Sequence, residues 1–136
     1  MRPVLLSSEV QAVAAILVVD DEPSIRKFLA LILEEEGFTV FTAADGQEAL
    51  RASRLHTGEI DLVISDIVMP VMDGLTLATE LQAEQPHVPI LLMSGCCEEP
   101  PDLQSGITFL PKPFDLTTFL STVQSLLVGR ASHAGV

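Results

Sequence analysis

The sequence predicts an α/β fold: one domain built on a doubly wound, five-stranded parallel sheet. Three observations carry this. Five short runs rich in β-branched residues alternate with segments of helical periodicity, as βαβ units do. The runs are continuously apolar, as parallel strands buried on both faces are. The chain has 136 residues, 48% of them hydrophobic, a size that fits a single core.

The elements follow in order. "AILVVD" (15–20) is the first strand, and "SIRKFLALILEEEG" the first helix. That helix places Ile25, Phe28, Leu29, Ile32 and Leu33 on one expected buried face, and Gly37 marks its stop. "TVFTAA" (39–44) is the second strand. "GQEALRASRLH" carries Ala49, Leu50 and Leu55 on a similar helical face. "DLVISD" (61–66) is the third strand. "DGLTLATELQAEQP" opens with Asp73 as N-cap, packs Leu77 and Leu81, and ends before Pro86. "PILLMS" (89–94) and "ITFL" (107–110) are strands four and five. Between them "GCCEEPPDLQSG" holds Pro100 and Pro101, so a fourth helix there is expected to be shortened or missing. "DLTTFLSTVQSLL" opens with Asp115 as N-cap and buries Leu116, Phe119, Leu120, Val123 and Leu127. Residues 1–14 read as an N-terminal extension, 15–128 as the domain, and 129–136 as a C-terminal tail. Val4, Leu5, Leu6, Val10 and Val13 could give the extension a short helix.

Charge narrows the function. Nineteen acids against seven bases give a net charge of −12. That excludes an electrostatic grip on nucleic acid or on an anionic membrane, and fits binding of cations or basic partner surfaces. The longest apolar run, Ala12–Val19, is too short to span a bilayer. Glu9 interrupts the weakly signal-like N-terminus, so the expected location is the cytoplasm. Cys96 and Cys97 are adjacent and give no disulfide framework; they read as free thiols. Met69 and Met72 read as packing residues, and His56, His87 and His133 as chemically uninformative.

The informative charges fall at strand ends. Asp20 and Asp21 close strand one, Asp66 closes strand three, Ser94 closes strand four, and Lys112 follows strand five. With the strands in the order 2-1-3-4-5, all five collect at one edge of the sheet, where open parallel sheets bind ligands. Three carboxylates together repel unless a cation joins them, and Mg²⁺ is the hard ion suited to oxygen ligands. A divalent cation, a lysine and a hydroxyl donor are what a phosphoryl group requires, with one carboxylate free to act as nucleophile.

From about residue 15 to 128 the sequence resembles a receiver domain of the two-component response-regulator family. The motifs are "VVDDEPSIR", "LVISDIVMPVMDGL", "ILLMSG" and "FLPKPF", in the family's order. The resemblance implies a flavodoxin-like sheet. It implies that Asp66 is the phosphoacceptor, and that Asp21, Asp66 and the Val68 backbone carbonyl bind Mg²⁺ directly, with Asp20 assisting mainly through water. Ser94 becomes the switch hydroxyl, Phe109 the switch aromatic, and Lys112 the partner of the phosphoryl group, with a cis Lys112–Pro113 bond. Gly74 permits the turn into the third helix.

The implied function is a signalling receiver, without enzymatic activity beyond self-phosphorylation and slow self-dephosphorylation. It takes a phosphoryl group from a sensor histidine kinase or histidine phosphotransfer protein and presents a switched surface to a downstream protein partner. It stands alone or is cut from a hybrid kinase or larger regulator. Direct nucleic-acid binding and membrane insertion are not expected. The chain departs from the family pattern in three places: the short segment after Ser94, a switch aromatic without a hydroxyl, and Val68 and Cys96 where polar groups would orient water. The second departure leads to an inward-facing Phe109 even without phosphate, and the third to slow loss of phosphate. A Mg²⁺-dependent phosphohydrolase is the competing enzyme class, but Val68 stands where such enzymes carry a second Asp. A nucleotide or flavin binder is disfavoured because "DDEPS" replaces a glycine-rich phosphate loop. A degenerate receiver is disfavoured by the intact set of five residues.

Overall fold

Alternate residues of each buried strand point to opposite sides of the sheet, and this parity builds two cores. The computed structural model describes residues 13–95 and 105–134, with side chains as far as Val128. The strands are β1 (Ala15–Val19), β2 (Thr39–Ala43), β3 (Leu62–Asp66), β4 (Ile90–Ser94) and β5 (Ile107–Pro111). The helices are α1 (Pro23–Glu35), α2 (Gly46–Leu55), α3 (Gly74–Glu84) and α4 (Leu116–Ala134). All pairings are parallel and the order is β2-β1-β3-β4-β5, the flavodoxin-like arrangement expected. Leu17, Val19, Val63, Ile90 and Leu92 face one side, where Ala49, Leu50, Leu77 and Leu81 of α2 and α3 cover them. Ile16, Val18, Leu62, Ile64, Leu91 and Met93 face the other, against Leu29 and Leu33 of α1 and Phe119 and Val123 of α4.

Three face assignments differ from expectation. Phe28 is 59% exposed, because at about 100° per residue it lies at the margin of the Ile25–Leu29–Ile32–Leu33 stripe. Leu55 is 78% exposed; it sits six residues beyond Ala49, off that face, and Ser53 is buried there instead. Leu116, the first residue of α4, is 48% exposed while Phe119 and Val123 carry the contact. α4 continues past Val128 to Ala134. Gly129 costs a helix only about 1 kcal/mol relative to Ala, so it need not stop one.

The expected N-terminal helix up to residue 12, Cys96, Cys97, and Pro100 and Pro101, expected to shorten the fourth connection, lie outside the described residues. Among the described residues no helix lies between β4 and β5, and no helix is long and apolar enough to cross a membrane.

Candidate functional site

Register brings the charged residues together. Val19 pairs with Ser65 and Asp66 with Met93, so the next residue of β1, Asp20, falls beside Asp66. Ser94 pairs with Pro111, which places Lys112 one step past the end of β4. The carboxylates of Asp20, Asp21 and Asp66 offer ligand atoms that all lie within 4.8 Å of one another. Lys112 Nζ is 3.6 Å from Asp66 Oδ2.

The acids differ in setting. Asp20 is fully buried, Asp66 half-buried and Asp21 exposed. Asp20 N donates to Ala43 O at 3.2 Å, its Oδ1 accepts from Glu22 N at 2.9 Å, and its carbonyl accepts from Arg26 Nη1 at 2.7 Å. Its Oδ2 is buried without a hydrogen-bond partner. Burial pushes the Asp20 carboxyl above its ordinary value; the Glu22 amide and Lys112 oppose this, while Asp66 and Asp21 add to it. A buried, unpartnered carboxylate oxygen facing two more carboxylates is a donor set for a hard cation. The residues present therefore fit Mg²⁺, with an all-oxygen set and a lysine at the rim.

The backbone holds Asp66 in place. Ile67 N donates to Met93 O at 2.9 Å and Gly74 N to Ile67 O at 2.7 Å. A Cβ on Gly74 would overlap the Asp66 carbonyl oxygen and lie 2.8 Å from Ile67 Cα. Glycine is therefore required by close approach of two backbones; its φ is not in the left-handed region. That region is occupied nearby by Val71, at φ 72°, where Met72 N donates to Pro70 O at 2.8 Å and closes a tight γ-turn. Met69 is buried, and Met72 packs against the same core, as expected of them.

On the far side of Asp66, Ser94 is 1% exposed, and its carbonyl accepts from Lys112 N at 2.9 Å. The Lys112–Pro113 bond is cis. Phe109 is half-buried and packs on the core beneath α2 and α3, so it is not fully outward. Val68 is exposed in the loop after β3, two residues beyond Asp66.

The structure thus gathers Asp20, Asp21, Asp66 and Lys112 in one cluster, with Ser94 closing the neighbouring strand. Two contributors close the motifs "VVDDEPSIR" and "ILLMSG" but had no role assigned to them. Gly95 leaves room for the Lys112 stem, since a Cβ there would stand 3.3 Å from Lys112 Cβ. Arg26 reaches back from α1 to Asp20, one helical turn after the loop, which spacing alone does not reveal.

Comparison with known proteins gives one consistent picture. The family model described as "Response regulator receiver domain" matches residues 16–124. The chain is 39% identical over 127 residues to the sensor kinase CckA of Brucella abortus, covering 89% of this chain and 13% of that protein. It is 38% identical over 118 residues to the transcriptional regulatory protein GlrR of Escherichia coli, covering 84% of this chain and 26% of that protein. The chain thus spans a minor part of these relatives. Among solved structures, the receiver domain of the hybrid histidine kinase CckA superposes with a TM-score of 0.75 at 38% identity, covering 84% of this chain and 99% of that one. The response regulator TrrA of Thermotoga maritima, solved in complex with Mg²⁺-BeF, superposes with a TM-score of 0.73 at 37% identity, covering 83% and 98%.

Proposed function

The chain belongs to the response-regulator receiver family, and on that premise we propose that Asp66 accepts a phosphoryl group and that the charge it gains switches a protein-binding surface. The observation that carries this is the cluster itself: three carboxylates within 4.8 Å, with Lys112 Nζ 3.6 Å from Asp66.

The donor is a phosphohistidine on a sensor kinase or histidine phosphotransfer protein. An Asp66 carboxylate oxygen attacks phosphorus, an O–P bond forms, the N–P bond breaks, and imidazole leaves with the electron pair. Asp20, Asp21, Asp66 and the Val68 carbonyl would hold Mg²⁺, which supplies positive charge for the phosphoryl oxygens. The Mg²⁺-BeF complex of the Thermotoga maritima relative supports the same ligand chemistry here. Lys112 pairs with the new dianion, and the Ser94 hydroxyl donates to it. Ser94 and Lys112 are joined by a backbone hydrogen bond, which couples the two strand ends. Phe109 lies on β5, three residues before Lys112, which follows the strand's last residue, and shifts with it. A charge change at one atom thereby reaches the surface of β4 and β5.

Val68 carries no group that could orient an attacking water, so the phosphorylated form decays slowly. A cytoplasmic setting suits a phosphohistidine donor. Output passes to a partner protein, whether the receiver stands alone or lies within a hybrid kinase or larger regulator.

The test is incubation with Mg²⁺ and acetyl phosphate, read by intact mass. Wild type gains one phosphoryl group that hydroxylamine removes and that persists for minutes or longer in Mg²⁺ buffer. Asp66→Asn gains none. Equal labelling of Asp66→Asn, or continuous release of phosphate from esters, would overturn the reading.

A further inference from the structure

The loop between β1 and α1 carries two of the three carboxylates and has no side-chain cap at the helix start. Glu22 is the N-cap of α1, yet its side chain makes no capping hydrogen bond, and no acid occupies the first turn. Besides the bond from Glu22 N to Asp20 Oδ1, what ties the helix to the strand end is Arg26. Its backbone N donates to Glu22 O at 2.9 Å, inside the first turn. Its guanidinium then reaches back, and Nη1 donates to the Asp20 carbonyl at 2.7 Å. With Asp20 N bound to Ala43 O and Asp20 Oδ1 to Glu22 N, Asp20 Oδ2 is the atom left without a partner, and it is buried.

The carbonyl that Arg26 holds belongs to the peptide joining Asp20 to Asp21. Rotation of that peptide would swing the exposed Asp21 carboxylate relative to Asp20 and Asp66. Arg26 also does this without competing for the acids. Among the described residues its guanidinium forms no ion pair with a carboxylate, so the ligand oxygens stay available.

We propose that Arg26 is a positioning residue for the cation site, fixing the Asp20–Asp21 peptide so that Asp21 converges with Asp20 and Asp66; this rests on the reading of the site given above. Two effects of removing Arg26 have opposite sign. Coulomb repulsion alone predicts that deleting a nearby positive charge tightens binding of a dication. Loss of positioning predicts weaker binding, on the order of tenfold, as for other partners that orient metal ligands.

The experiment is calorimetric titration of the full chain with Mg²⁺ alone, beside thermal unfolding in EDTA. Arg26→Ala should bind Mg²⁺ about tenfold more weakly. Arg26→Lys and Arg26→Gln, which keep a donor, should fall between it and wild type. Lys27→Ala removes the same charge from the exposed neighbouring position and should bind as tightly as wild type or tighter. Should Arg26→Ala fail to fold, the Lys and Gln variants carry the comparison. Affinity in Arg26→Ala equal to or above wild type would overturn the proposal, as would a lowered Tm with unchanged affinity. Absence of Mg²⁺ binding in wild type would instead strike the reading of the site itself.

Discussion

A methyl group on Gly74 has nowhere to go. It would meet the carbonyl oxygen of Asp66 and the Cα of Ile67, both backbone atoms that cannot swing aside as a flexible side chain can. Gly74→Ala is therefore expected to cost about 1–3 kcal/mol, the usual penalty of overpacking a close-packed site. Urea denaturation measures it, and the phosphoryl adduct at Asp66 should fall in parallel because the displaced backbone is that of Asp66. An unchanged midpoint would mean that the loop after β3 can retreat. At this scale the sequence identified which residues matter better than why. "MDGL" marked Gly74 as a turn residue, but its reason is the approach of another backbone, which no local pattern contains. The places of Asp20, Asp21, Asp66, Ser94 and Lys112 were legible because each lies at or just past the end of a strand, and the strands read as short apolar runs. Arg26 and Gly95 were not, because one acts by the reach of a long side chain and the other by the room it leaves. His56 likewise read as inert, yet it stacks on Phe41 with ring centroids 4.2 Å apart and lies 3.2 Å from Glu59.

At the level of elements, three helices begin on an aspartate whose Oδ1 accepts a backbone N–H three residues on: Asp45 from Glu48, Asp73 from Thr76 and Asp115 from Thr118. α3 begins at the loop that carries Asp73 and Gly74, so its cap also fixes the approach to Asp66. Asp73→Ala should lower stability by about 1 kcal/mol, and Asp73→Asn or Asp73→Ser should recover most of it, read by urea midpoint. The cap on α4 adds a pH dependence. The Thr118 backbone hydrogen bond holds the Asp115 carboxyl below its ordinary value. A depressed folded value means that stability is present above the unfolded value of 3.8 and is lost as pH falls through the folded one. Asp115→Asn should therefore flatten part of the acid limb of the unfolding curve. Both caps were legible, since Asp before an amphipathic run is a strong local signal. The far ends of the helices were not. Arg54 of α2 grips Glu84 of α3 with Nη2 at 2.5 Å from Oε2, and Gln85 donates to the buried Ser53 hydroxyl. That clasp joins residues some 30 positions apart and gives the buried Ser53 a partner on the next helix's end.

Considered as a whole, the molecule trades stability for the site. It carries a net charge of −12 and still converges three carboxylates at one sheet edge, one of them buried with an unpartnered oxygen. That convergence was legible only on the condition that the strands take the order 2-1-3-4-5, which the sheet has. The Asp20 carboxyl is pushed above its ordinary value chiefly by burial, so its ionised form opposes folding when no cation is bound. A cation held there would reverse the sign: anything that binds the folded state and not the unfolded one stabilises it by mass action, about 2.7 kcal/mol at a hundredfold excess over Kd. Two Tm shifts should consequently run in opposite directions in one variant. In EDTA at neutral pH, Asp20→Asn removes the buried charge and should unfold at a higher temperature than wild type, by the equivalent of about 1 kcal/mol. In saturating Mg²⁺, wild type should rise while Asp20→Asn stays nearly where it was, so that the order of the two converges or inverts. Thermal unfolding of both proteins, with and without Mg²⁺ at matched ionic strength, decides the matter. If Asp20→Asn is the less stable protein in EDTA, Asp20 is held by interactions of the folded chain alone and the cost assigned to its burial is wrong. If both proteins gain equally from Mg²⁺, the ion acts by screening the acidic surface and not at the strand ends.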